Sequence, residues 1–156
     1  MTFWLRMKRE HAFTLLKGVR DELDTARVAI AQSLREMGAN AEFLRALTRN
    51  GVGEGELKRC AKNLEVTYVL RLFSEFEAIL RDYWSAIGRK SKPQIGTLIN
   101  RVAAIRKIAP ADLSQVHDVR DFRNDVIHEN VRNMRLSFDV CKRNIGIFIK
   151  WLPVDW

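Results

Sequence analysis

Cysteine is scarce in this chain. Only Cys60 and Cys141 occur in 156 residues, far apart and in no metal-ligand spacing. That excludes a disulfide framework and a cysteine-based zinc centre. Both thiols are expected to be reduced and to fill the core, as suits a cytoplasmic setting. Long apolar runs are missing too. No stretch approaches the ~18 residues of a membrane span, and the opening "MTFWLRMKREH" has no apolar signal core, so neither membrane insertion nor secretion is expected. With three prolines and eight glycines, helix breakers are few. There is no strand pattern, repeat, low-complexity tract or dividing linker, and no P-loop, nucleophile elbow or dinucleotide-type glycine pattern. The carboxylates are dispersed, so no metal and no cofactor is expected.

What remains is a helical composition. Hydrophobic residues make up 47% and charged residues 29%, the balance of a folded globular protein. The length suits one domain over residues 1–156. A first helix is expected over about Glu10–Met37, with Phe13, Leu16, Val19, Leu23, Ala26, Ile30 and Leu34 spaced at three to four residues and Gly38 as its stop. A short helix follows over about Ala41–Thr48, and "NGVGEG" is a turn. A long helix over about Glu56–Ile87 carries "YVLRLFSEFEAILRDYW". Pro93 opens another, through about Lys107, and Pro110 or Asp112 a fifth. "HENVRN" breaks the chain before a last helix over about Arg135–Leu152. The fold class is all-α, a bundle of four to six helices.

The charge is unbalanced. The net value is +8, with 18 Arg against 9 Lys. Basic character favours an anionic partner such as RNA, DNA, a nucleotide or an acidic protein. Arginine's planar fork matches phosphate bidentately, which leans toward nucleic acid.

The fifth helix carries the most informative stretch, "DVRDFRNDVIHEN". At about 100° per residue with Leu113 as zero, Val116, Val119, Phe122, Val126 and Ile127 span roughly 180° to 320°. Arg123 falls near 280°, inside that apolar arc, while Asn124, His117 and His128 lie near 20° to 60°, at about its edge. A guanidinium on a buried arc needs a partner or a polar cleft, because it cannot shed its proton. Glu77, in line with Leu70, Phe73 and Trp84 on the long helix, is the expected partner. An arginine and a histidine in one cleft suit RNA cleavage. Imidazole moves protons near neutral pH, and guanidinium holds a phosphate and the charge that develops on it.

"RNDVIH", Arg123 to His128, resembles the motif of HEPN domains, in which an arginine, often followed by a polar residue such as Asn124, precedes a histidine by a short helical spacing. The aromatic, Glu-bearing long helix upstream and the amphipathic "LSFDVCKRNIGIFIKWLP" downstream are similar to that family as well. The likeness is strongest over residues 56–152. It implies a HEPN-like helical bundle, a homodimer whose paired motifs meet across a cleft, and metal-independent endoribonuclease activity of a toxin–antitoxin or phage-defence type, leaving a 2′,3′-cyclic phosphate and a 5′-hydroxyl. Arg123, Asn124 and His128 would be the catalytic set, Glu77 a supporting residue, RNA the substrate, and a protein antitoxin or defence-system component a further partner. Family members modified by a nucleotidyltransferase carry a tyrosine where this chain has Asn130, which speaks against that form of control.

Other readings follow from the same residues. The fold without cleavage would be a nucleic-acid or nucleotide-binding regulatory module, and a third reading is a helical interaction protein. "RMKREH", Arg6 to His11, repeats the spacing by accident. His11 and His117 are read as solvated surface residues. Tyr68, Phe73, Phe76, Tyr83 and Trp84 are read as core rather than as base-stacking platforms. "GRKSKP", Gly88 to Pro93, is a solvated loop or a phosphate contact.

Overall fold

Two antiparallel helices of about thirty residues frame the molecule, a computed structural model that describes residues 8–129 and 135–156. Six α-helices follow in order among these residues: α1 Arg9–Ala39, α2 Ala41–Arg49, α3 Glu54–Ala86, α4 Ile95–Arg106, α5 Pro110–Glu129 and α6 Phe138–Lys150. The described residues contain no strand, only one isolated bridge between Lys8 and Asp155. The protein is all-α. Among these residues no helix is long and apolar enough to cross a membrane.

Each boundary has a local cause. α1 does not stop at Gly38. It runs on to Ala39, where Asn40 donates its backbone N–H to the Glu36 carbonyl (2.8 Å) and accepts the N–H groups of Glu42 and Phe43 on its side-chain oxygen (3.1 Å each). One asparagine thus ends α1 and caps α2. At the start of α3 the Glu56 carboxylate returns to the Gly53 N–H (3.1 Å). α3 closes with Gly88 in the left-handed region (φ +78°), the Gly88 N–H on the Ser85 carbonyl and the Arg89 N–H on the Trp84 carbonyl (2.9 and 3.2 Å). That is the Schellman pattern. α4 starts two residues after Pro93, with Gln94 as its cap, and ends on Lys107, a left-handed residue (φ 54°) without glycine's freedom. Pro110 is the first residue of α5. α6 starts at Phe138 rather than Arg135, because the Ser137 hydroxyl accepts the Val140 N–H (3.3 Å). The break expected over "HENVRN" does not begin at His128, because α5 runs on through Glu129; its residues 130–133 lie outside the described residues.

The core occupies one end of the α1–α3 pair. Ala12, Leu16, Val19 and Leu23 of α1 pack on the half of α3 that buries Val69, Leu72, Phe73, Phe76, Ile79, Leu80, Tyr83 and Trp84. α4, α5 and α6 complete this end with Leu98, Ile99, Val102, Val116, Val119, Phe122, Phe138, Cys141, Ile145, Phe148 and Ile149. Phe73, Phe76 and Phe148 meet edge to face at centroid distances of 5.8 and 5.6 Å. The other end is thinner. From Asp24 to Tyr68, only Met37 is buried. Cys60 lies there, exposed, and so is not the core thiol its residue type led us to expect. Cys141 is buried, and burial followed by the charge of Glu65 pushes its thiol up to about 12. It is a packing residue, not a nucleophile.

Glu65 marks the boundary between the two ends. One carboxylate oxygen accepts the Phe138 N–H (2.9 Å) at the start of α6, and the other meets Arg27 of α1 (3.0 Å). It supplies a negative charge at a helix N-terminus and satisfies a backbone donor that helix geometry leaves free. Glu65→Ala is expected to cost about 1–3 kcal/mol, the range for a charge-assisted bond, read by urea unfolding. Lys107→Gly is expected to stabilise by up to about 1–2 kcal/mol, the cost of a left-handed non-glycine residue, in the same experiment.

Candidate active site on α5

The buried side of α5 is shorter than its apolar pattern. Val116, Val119 and Phe122 are buried, Val126 is only partly covered, and Ile127 is 48% exposed. The helix outlasts the core by about two turns. Ile127 is therefore not the core residue that its place on the wheel implied. A wheel treats all turns alike, whereas full burial on α5 ends at Phe122.

Arg123 stands where the core gives out. It is half-buried, and its guanidinium carbon lies 5.8 Å from the centroid of the Phe73 ring. Its Nη1 donates to the Asn124 side-chain oxygen (3.0 Å). The expected ion pair with Glu77 is not formed. The Glu77 carboxylate is held by Arg81 one turn along α3, through Nε at 2.9 Å and Nη2 at 2.5 Å. Among the described residues no carboxylate lies within 4 Å of the Arg123 guanidinium. The aromatic face of Phe73, not an acid, offsets the lost hydration. An arginine so placed keeps its charge available for an anion.

Asn124 is half-buried and His128 exposed. They are four residues apart and share one side of α5. Five residues separate Arg123 from His128, which sets them about 7.5 Å apart along the helix axis. Among the described residues the His128 ring has no hydrogen-bond partner, so it is open to exchange a proton with a ligand. Asp125, on the same turns, pairs with Arg135 (3.1 Å). Among the described residues no three His, Cys, Asp or Glu side chains come together as a metal cage would require. Asn130, Arg6 and the side chain of Glu129 lie outside the described residues.

His117 differs from its reading as a solvated residue. It is half-buried in the α4–α5 seam, with Nε2 2.7 Å from the Asn100 side-chain oxygen and Nδ1 buried without a partner. Since Oδ1 accepts, Nε2 holds the single proton of the neutral ring. Its pKa is lowered, first by burial and then by Arg120, against the opposing charges of Asp121 and Asp118. Close by, Gly96 of α4 admits the Arg120 side chain, because a Cβ there would lie 2.5 Å from its Nη1. These contacts seat α4 against α5 and are structural. No family model, curated protein or solved structure matches this chain.

Sequence reasoning found the arginine and its unusual place but missed the role of Phe73. Fifty positions separate the ring from the guanidinium, and periodicity marks Phe73 only as core.

The lowered pKa of His117 has a consequence for stability. The unfolded chain binds the proton below about pH 6.5, while the folded ring resists it, so stability falls as pH drops through that value toward the folded pKa. His117→Gln removes this titration and keeps an N–H for Asn100. Wild type should lose more stability than the variant between pH 7.5 and 5.5 in urea unfolding; equal losses would show that His117 is not the group responsible.

Proposed function

We propose that this chain is a HEPN-like, metal-independent endoribonuclease acting as a homodimer, of the kind found in toxin–antitoxin or phage-defence systems. The observation that carries the reading is the half-buried Arg123, resting on Phe73, one and a half turns before His128, with no acidic partner for the arginine and no hydrogen-bond partner for the histidine among the described residues. The resemblance of "RNDVIH" to the HEPN motif adds to it. Arg123 binds the scissile phosphate and stabilises the charge that builds on its oxygens. Asn124 orients that guanidinium through the bond between them. His128 transfers protons.

The reaction balances without any further reagent. The ribose 2′-oxygen bonds to phosphorus as the bond to the 5′-oxygen breaks, leaving a cyclic phosphate and a 5′-hydroxyl. One imidazole takes the 2′-hydroxyl proton, and an imidazolium gives one to the leaving oxygen. A single chain presents one exposed histidine on this side, and a second copy across a cleft supplies the other. A protein antitoxin or defence component would cover the same cleft.

A non-catalytic binding module is the second reading. It is favoured by the exposure of His128, since among the described residues no neighbouring group fixes its ring. Incubation with single-stranded RNA in EDTA separates the two. Wild type should cleave. Arg123→Ala and His128→Ala should each lower the rate at least about 100-fold, the scale of a lost acid–base or charge-stabilising group. RNA bound but intact would favour the binding module, and cleavage surviving both substitutions would remove these residues from the chemistry.

A further inference from the structure

A second feature of α3 lies outside this site. At its C-terminal end a cleft of about 830 Å³ is lined by Arg81, Trp84, Arg89, Lys90, Ser91 and Lys92. A smaller hollow of about 350 Å³ shares Trp84, Arg89 and Ser91 and adds Arg101 from α4. Five cations from two helices and a loop therefore line these hollows, and two of them, Arg89 and Arg101, lie over one indole. We propose that this cleft binds phosphate groups of an RNA strand, as a subsite separate from Arg123 and His128.

The loop is built to hold the cations there. The Schellman turn at Gly88 sends Arg89 back over Trp84, its guanidinium carbon 5.7 Å from the ring, and Arg101 lies 5.9 Å from it. The indole N–H is used internally, on the Ser91 carbonyl (3.0 Å) and hydroxyl (3.3 Å). Trp84 is only 6% exposed. It cannot stack on a base and serves as a platform for guanidiniums. The readable groups are thus charges, which suits a phosphodiester backbone rather than base recognition.

Charge balance points the same way. Arg81 is neutralised by Glu77. Among the described residues Arg89, Lys90, Lys92 and Arg101 have no carboxylate within 4 Å. Complementing the α3 dipole does not explain them all, because Arg101 belongs to another helix and the last α3 carbonyls already accept backbone N–H groups. The position fits a strand that also reaches Arg123. Trp84 follows Phe73 by eleven residues, so it lies about 16 Å further along nearly the same line of α3. That the ligand is RNA rests on the ribonuclease reading; the cationic cleft does not.

The test measures binding on a His128→Ala background, so that cleavage cannot interfere. A labelled single-stranded RNA is titrated by fluorescence anisotropy against salt, with pyrophosphate as competitor. Arg89→Gln/Lys92→Gln is compared with Arg49→Gln/Lys62→Gln, which removes equal charge at the far end of α1–α3. All four side chains are exposed, and circular dichroism verifies folding. The pocket pair is expected to weaken binding at least about tenfold at moderate salt and to flatten the logarithmic salt slope by about 1.4, two contacts at roughly 0.7 each, while the distant pair changes little. Equal effects of both pairs would overturn the proposal and leave only non-specific attraction. An unchanged pocket variant would overturn it while leaving the Arg123–His128 reading intact. Pyrophosphate binding to wild type without RNA binding would also overturn it, assigning the cleft to small phosphates. Pocket-dependent binding that persists when Arg123→Ala is added to the same background would support it independently of catalysis.

Discussion

The contact between Phe73 and Arg123 is the constraint around which this molecule is arranged. Phe73 is wholly part of the core, edge to face with Phe76, which in turn meets Phe148 of α6. Its ring also carries the guanidinium of α5. Phe73 therefore joins the aromatic packing of α3 and α6 to a cation of α5 placed at the core's rim. An acidic partner would have neutralised that cation, whereas an aromatic face leaves its charge in place. The engagement of Glu77 by Arg81 has the same effect.

The remaining contacts hold α5 at the required height on α3. Gly96 allows Arg120 to cross the first turn of α4, and His117 bonds to Asn100. Asp112 accepts the Trp151 indole N–H from the end of α6 (2.9 Å). At the other edge Arg9 donates to the carbonyls of Lys150 and Leu152, and the Trp156 indole donates to Asp82 beside Tyr83. The chain after α6 thus lies against α1 and α3.

Much of this was legible in the sequence. Six helices could be placed to within a few residues, because their apolar positions are bounded by glycine and proline signals. Where the ends moved, a side chain decided: Asn40 carried α1 past Gly38, and Ser137 delayed α6 past Arg135. The abnormal position of Arg123 could also be read, since a helical wheel needs only local spacing. What answers it could not. A carboxylate four residues from an arginine on the same helix was the closer match for Glu77, while Phe73 and Arg123 meet only through tertiary packing. Cys60 and Ile127 were misplaced for one reason. Residue type reports what a side chain tolerates, but burial needs a neighbour, and both lie on helix segments that extend beyond the core.

The thin half of the α1–α3 pair gives the molecule a gradient of stability. Between Asp24 and Tyr68 the helices are joined by few buried side chains, so their backbone bonds are guarded mainly by helix propagation. Opening from that end costs less than opening from the phenylalanine cluster. Glu65, tied to both Arg27 and the start of α6, is the rivet at which such unzipping meets the dense core. Amide exchange would thus run fast above the rivet and slow below it, and the α2 end could breathe, or be gripped by another molecule, without loosening the grip of Phe73 on Arg123.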